Sequence, residues 1–235
     1  MFRLIFGGTP GIDRRITSRK LHKKENFLTN YSDPVYDILR LIDFLHSQSR
    51  IKFSKIGIYG FSAGGIEGRF AAALDYRISA VVLACATYSH NQIFKDKAWV
   101  PTYSCLIIFP ELGLGNPVMA NITYEQWLIN LNKLKPKHNT QARKIYNDIF
   151  PFFEDLDPLK VTSLIAPVPL LIVTGAQDSQ FNPGGVIEVD RAVKKAYDKF
   201  GFSECSNLYI QPRASHYVTK HCGFIIAAFF ERWLK

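Results

Sequence analysis

Cysteine is scarce in this chain: Cys85, Cys105, Cys205 and Cys222 are its only four in 235 residues. They form no C-x-x-C pair and no zinc-ligand spacing, so reduced thiols are expected rather than a disulfide framework or a metal knuckle. Cys85 and Cys105 lie in apolar stretches, where cysteine behaves as a small hydrophobe. Long apolar runs are also missing. Phe224–Phe230 falls far short of the ~20 residues that a membrane helix needs. The opening Met1-Phe-Arg-Leu-Ile-Phe-Gly-Gly8 is too short an apolar stretch for a secretion signal. Together these features predict an intracellular, cytoplasmic chain with no membrane span. No internal repeat, low-complexity tract or linker divides it, and its length suffices to bury one full core without staples.

Acidic residues are outnumbered, 20 Asp+Glu against 29 Lys+Arg, for a net charge of +9. Much of the excess sits in Arg14, Arg15, Arg19, Lys20, Lys23 and Lys24, with more at Lys133, Lys135 and Lys137. No nucleic-acid fold signature accompanies these charges, so they read as a solvated face and no nucleic-acid partner is expected.

What the chain does have is alternation. Residues 2–6 read as a short strand ended by Gly7-Gly8-Thr9-Pro10-Gly11, and residues 12–31 as basic loop. Asp33 as N-cap and Pro34 at the first helical position predict a helix start. Val35, Ile38, Leu39, Ile42 and Leu45 follow at the spacing of one buried face. Ile56–Tyr59 is a strand, Gly65–Leu74 a helix of small residues, and Ile78–Ala84 a continuous apolar run of the kind that parallel sheets bury. Residues 91–160 break the rhythm. They carry Pro101, Pro110, Pro117, Trp99, Tyr103, Tyr124 and Trp127, and helical stretches are expected at 124–134 and 141–150. This segment is expected to be a cap or lid inserted over the carboxyl edge of the sheet, within a single domain 1–235. Alternation resumes with a strand at Pro169–Thr174, a helix at Val186–Phe200, a strand at Asn207–Gln211 and a terminal helix at Phe224–Leu234. The order predicts an α/β fold: a mostly parallel sheet flanked by helices.

The chemistry gathers around Gly60-Phe61-Ser62-Ala63-Gly64. With 15 glycines in the chain, a bare G-x-S-x-G arises by chance in roughly one such chain in twenty. Context gives it meaning. A strand precedes it and a helix follows, which is the setting of a nucleophile elbow. A serine hydroxyl needs a base to take its proton and a third group to orient that base. Asp178 follows a buried strand and His216 follows the next strand, Asn207–Gln211, so all three fall at carboxyl ends of strands, where open α/β sheets place their sites. Asp178 competes with the simpler role of capping the turn before Asn182-Pro183. Asp155 and Asp157 precede the strand rather than follow it. His221 is the rival to His216, while His22, His46, His90 and His138 have no suitable placement.

Phe61-Ser-Ala-Gly-Gly65, Gly175-Ala-Gln-Asp178 and Ser215-His216 resemble the three catalytic signatures of the α/β-hydrolase superfamily. Asp37-Ile-Leu-Arg-Leu-Ile-Asp-Phe-Leu45 and Leu164-Ile-Ala-Pro-Val-Pro-Leu-Leu-Ile-Val173 are similar to runs in dienelactone-hydrolase-like and acetyl-xylan-esterase-like enzymes. The resemblance covers roughly residues 34–90 and 155–235. It implies a serine esterase acting on a small-molecule ester without a cofactor or metal. Ser62 would be its nucleophile, His216 its base and acid, Asp178 the orienting group, and the Ala63 N–H one oxyanion donor.

One departure matters. Such enzymes carry further strands before the one that supplies the second oxyanion donor, and this chain starts too late to hold them all. If residues 2–6 are the donor strand, Gly7-Gly8 resembles an H-G-G-type oxyanion loop with Phe6 in place of histidine, and Gly8 is the second donor. If they are the following strand, the hole is half built. Two other functions therefore remain open: a weakly active or non-catalytic relic that binds a partner, and a peptidase or acyl-peptide hydrolase. The oligomeric state leaves no mark in the sequence.

Overall fold

The computed structural model of the chain describes residues 3–6, 29–48, 55–89, 92 and 155–235. The basic segment 14–24, the Gly7–Gly11 turn, and the helices expected at 124–134 and 141–150 lie outside these residues. So does most of the segment 91–160 expected as a cap.

Five strands form one fully parallel sheet in chain order: β1 (Arg3–Phe6), β2 (Ile56–Phe61), β3 (Ile78–Ala84), β4 (Leu170–Gly175) and β5 (Ser206–Gln211). Between and after them run α1 (Thr29–Ser47), α2 (Ala63–Leu74), α3 (Pro158–Ser163), α4 (Pro183–Phe200) and α5 (Lys220–Leu234). The parallel α/β architecture expected from the alternation is the one observed.

Alternation along the central strands explains why they are largely apolar. Successive strand residues leave a sheet on opposite faces. Val81, Leu83, Leu170 and Ile172 enter one cluster with Val35, Ile38 and Ile42 of α1, Ile66 of α2, and Val186, Val189 and Val193 of α4. Ala80, Val82, Ala84, Leu171 and Val173 enter another with Ile226, Phe229 and Phe230 of α5. Both faces are covered, so β3 and β4 are apolar apart from Ser79 and Thr174, and the Thr174 hydroxyl is satisfied by donating to the Phe181 carbonyl at 3.0 Å. Each fully buried Val, Leu or Ile contributes about 1.5–3 kcal/mol. Helix α5 lies so near β2 that a Cβ on Gly57 would meet Phe230 and Leu234 at 2.7 Å.

Several boundaries differ from the sequence reading. Helix α1 begins at Thr29, ahead of the Asp33-Pro34 start signal, and Pro34 lies inside it. A proline that near the amino end removes one backbone bond and leaves the turns beyond it intact. The buried face after it, Val35, Ile38, Ile42 and Leu45, is the predicted one. Helix α4 starts at Pro183 rather than Val186, because the Asn182 side chain caps it by accepting from the Gly184 amide at 2.8 Å. Thr219 does the same for α5, accepting from the Cys222 amide at 3.1 Å, so that helix starts at Lys220 rather than Phe224. Helix α3 was not foreseen. It falls at the end of the segment 91–160 and buries Val161 and Thr162 against the layer of α2 and α4. Among the described residues, no helix is long and apolar enough to cross a membrane.

Candidate active site

Ser62 sits at the junction of β2 and α2 with φ 52° and ψ −124°. That backbone conformation is costly for a residue with a side chain, on the order of 1–3 kcal/mol, and persists only where surroundings impose it. Here the Ser62 amide donates to the Ala84 carbonyl of β3 at 2.9 Å, and its carbonyl accepts from Gly65 and Ile66 at 2.9 and 3.1 Å. The turn closes because residues 60 and 65 lack side chains. A Cβ on Gly60 would lie 2.4 Å from the Gly64 oxygen and the Gly65 Cα, and one on Gly65 would lie 2.3 Å from Ala86.

Asp178 follows β4 and His216 follows β5, and the two connecting turns are laced together. The amides of Ala176 and Gln177 donate to the carbonyls of Gln211 and Ala214 at 2.9 and 2.8 Å. Across this seam His216 Nδ1 lies 3.0 Å from Asp178 Oδ2, and His216 Nε2 lies 3.0 Å from Ser62 Oγ. Serine, imidazole and carboxylate therefore form one continuous hydrogen-bonded row.

The two oxygens of Asp178 divide the competing roles that the sequence left open. Oδ1 accepts from the amides of Gln180 and Phe181, each at 2.9 Å, and so caps the turn. Oδ2 is left for the imidazole. The carboxylate side chain is fully buried. Burial alone raises its pKa, but the His216 bond and the two backbone amides outweigh that and hold it below the usual carboxylate range. It stays an anion in a dry setting.

The other candidates stand apart from this row. Asp157 caps α3, accepting from the Leu159 amide at 2.8 Å, and Asp155 pairs with Lys160 at 2.9 Å. His221 is exposed on α5, its ring 6.4 Å from that of Tyr209, and His46 is exposed on α1. His22, His90 and His138 lie outside the described residues. Ala63 opens α2 directly after the serine, which aims its amide at the helix amino end. Gly8 lies outside the described residues. Its strand does not: β1 pairs in parallel with β2, Phe6 opposite Gly60. That neighbour relation is the one the donor-strand alternative requires.

Three residues at the site were not singled out for it by the sequence. Phe181 stacks on the His216 ring at 5.5 Å between centroids and 14° between planes, and Phe61 leans on it at 5.1 Å and 46°. Phe61 lies inside the motif and Phe181 close after the acid, yet no residue pattern announces a ring stacked on a histidine 35 residues away. Cys85 is the third. Its Sγ, an Asp178 oxygen and a His216 nitrogen lie within 4.8 Å of one another, the only grouping of metal-donor types among the described residues. Asp178 and His216 are already bonded to each other. Burial and the neighbouring Asp178 charge push the Cys85 thiol up to about 12. The trio is a neutral thiol packed against an acid–base pair.

No protein-family model matches the chain. A Bacillus subtilis protein named "Putative hydrolase YtaP" is 22% identical over 225 residues, covering 94% of this chain and 61% of that protein. The chain thus spans about three fifths of that relative's length. Among solved structures, the Pyrococcus furiosus esterase Pf2001 superposes with a TM-score of 0.51 at 16% identity, over 86% of this chain and 62% of the esterase. A glucuronoyl esterase from Solibacter usitatus gives 0.55 at 12% identity, over 84% and 47%. Methylesterase BT1017 gives 0.52 at 16%, over 86% and 35%. These likenesses show a shared fold, the α/β-hydrolase fold.

Proposed function

We propose that the chain is a serine hydrolase that cleaves a carboxylic ester of a small molecule through an acyl-enzyme intermediate. Ser62 Oγ attacks the ester carbonyl as His216 Nε2 takes its proton. Asp178 holds the imidazole in the tautomer that leaves Nε2 free, and stabilises the cation that forms. The same proton then passes to the departing alkoxide, and a water activated by His216 releases the acid. Developing negative charge on the carbonyl oxygen is met by the amide of Ala63 and by that of Gly8 after β1. Losing one such donor costs about 10²–10³ in rate. The single observation that carries the proposal is the row Ser62–His216–Asp178, with both links at 3.0 Å, at the carboxyl edge of a parallel sheet.

The esterase names of the fold neighbours support an ester over a peptide as substrate. The narrower likeness to dienelactone hydrolases rests on residues 37–45 and 164–173. We assign the chain to the cytoplasm on its cysteine usage: Cys85, Cys205 and Cys222 are buried free thiols.

The test is labelling with a fluorophosphonate, followed by a panel of esters and matched peptides at equal concentration. Covalent modification of Ser62, abolished in Ser62→Ala, and turnover of esters are expected. A folded protein that never labels overturns the hydrolase; peptides cleaved in preference to esters move it to the peptidases.

A further inference from the structure

His216 carries more aromatic surface than a base needs merely to reach its two partners. Phe181 lies nearly parallel to the imidazole, 14° between planes at 5.5 Å, and Phe61 lies at 46° and 5.1 Å. The two come from separate elements, Phe61 from the last position of β2 and Phe181 from the turn after β4. Each is fixed independently of the histidine. Phe61 immediately precedes the constrained Ser62. Phe181 is 3% exposed, donates its amide to Asp178 Oδ1 at 2.9 Å, and accepts from the Thr174 hydroxyl at 3.0 Å. The edge of its ring also meets Tyr88, whose own ring packs over Gly185, where a Cβ would come within 2.4 Å.

We propose that Phe61 and Phe181 form an aromatic clamp on His216 that stabilises its charged form as well as fixing its plane. The inference deepens the hydrolase reading and rests on it for its catalytic consequence. The reasoning is electrostatic. The face of a benzene ring is the negative part of its quadrupole and attracts a cation held near it. In the proposed mechanism the imidazole becomes a cation while it holds the serine proton. A neutral ring gains little from the phenyl faces, whereas the imidazolium gains more, so the clamp lowers the energy of the charged intermediate relative to the ground state. Both phenylalanines are thus positioning residues that act through the base. Among the described residues, the polar groups facing the ring are Asp178 from the turn after β4, Cys85 just beyond β3, and the Ser62 hydroxyl from the elbow. Of these the Asp178 anion favours the imidazolium in the same sense as the clamp, so the clamp must be read as a difference between variants in which Asp178 is intact.

The experiment replaces each phenylalanine by leucine, which keeps an apolar side chain against the histidine and removes the quadrupole. The His216 ring protons are titrated by NMR in the intact chain, in wild type, Phe61→Leu and Phe181→Leu, with thermal melts run alongside. Phe61 is the less buried of the two, so its variant keeps the test usable if Phe181→Leu fails to fold, and Phe61→Tyr restores an aromatic face. Each leucine variant is expected to move the titration midpoint to lower pH by about half a unit, and to lower kcat about threefold with KM within twofold. Phe61→Tyr, which keeps an aromatic face, is expected to recover most of what Phe61→Leu loses in both. A midpoint that stays put or moves to higher pH in folded leucine variants overturns the clamp. Repeating the titration in Ser62→Ala reads the clamp without turnover. Shifted midpoints in a protein that hydrolyses nothing would keep the clamp and remove the hydrolase reading.

Discussion

Gly175 and Ala214 are in backbone contact: a Cβ on residue 175 would lie 2.3 Å from the Ala214 carbonyl oxygen, and equally near that of Ser215. Here the strand that leads to Asp178 touches the turn that leads to His216. Gly175→Ala must push the two turns apart, because neither neighbouring atom belongs to a flexible side chain. The expected outcome is a loss of stability of about 1–3 kcal/mol and a larger loss of hydrolysis. Denaturant melts read the first, and kcat/KM in variants that remain folded reads the second.

Asp178→Asn keeps the shape of the acid and removes its charge. An asparagine can satisfy the turn amides at Oδ1 but offers either a donor or a weaker acceptor to His216. A drop in kcat of about 10⁴ is expected, by analogy with the same change in other triads. Circular dichroism checks that the turn survives, and fluorophosphonate labelling should slow in parallel with turnover.

His216→Ala and His221→Ala separate the two candidate bases. The first should abolish ester turnover. The second removes an exposed ring outside the row and should leave kcat/KM within twofold. Equal losses in both variants would contradict the assignment of the base.

Asp75 provides a pH handle far from the chemistry. Arg77 grips it through Nε and Nη2, the latter at 2.5 Å, and reaches Asp43 at 2.8 Å. The Arg77 hydrogen bonds outweigh burial and hold the Asp75 carboxyl below its ordinary value. A carboxylate with a depressed folded pKa contributes stability above the unfolded value, about 4, which is lost as pH falls through the folded one. Melting temperature should therefore fall more steeply below about pH 4 in wild type than in Asp75→Asn, with esterase activity at neutral pH unchanged in that variant.

Much of this site was legible in the sequence because its parts obey local rules. Ser62 sits in a turn whose glycines are dictated by crowding, Asp178 follows a run apolar enough to be a buried strand, and His216 follows the next strand, which is only half-buried. The helix face of α1 was readable from spacing, since burial repeats with the helical period. What was missed lies where local signals compete or are absent. Thr29–Asp33 joined α1 despite a strong start signal at Asp33-Pro34. The short helix α3 has only Asp157 and Pro158 to announce it. Asp190 sits buried on the inward face of α4, where the pattern calls for an apolar residue, because Lys194 one turn on pairs with it at 2.7 Å. The stacking of Phe181 on His216 joins two turns brought together by strand pairing and by backbone bonds between the turns, and no window of sequence contains both.

The pairing of β3 with β4 has a further consequence. Val81 lies opposite Leu170 and Ala84 opposite Val173, although β3 ends at Ala84 and β4 begins only at Leu170. The register of these strands is set by the side chains they bury on each face, not by the chain that joins them. Closing a connection twice as long costs only about 0.6 kcal/mol more. In the proposed hydrolase, sequence change in the connecting stretch outside buried residues such as Cys85, Tyr88, Val161, Thr162 and Ile165 leaves β3 and β4 paired. Libraries confined to the remaining positions of that stretch, screened on an ester panel, test whether they alter which esters are accepted.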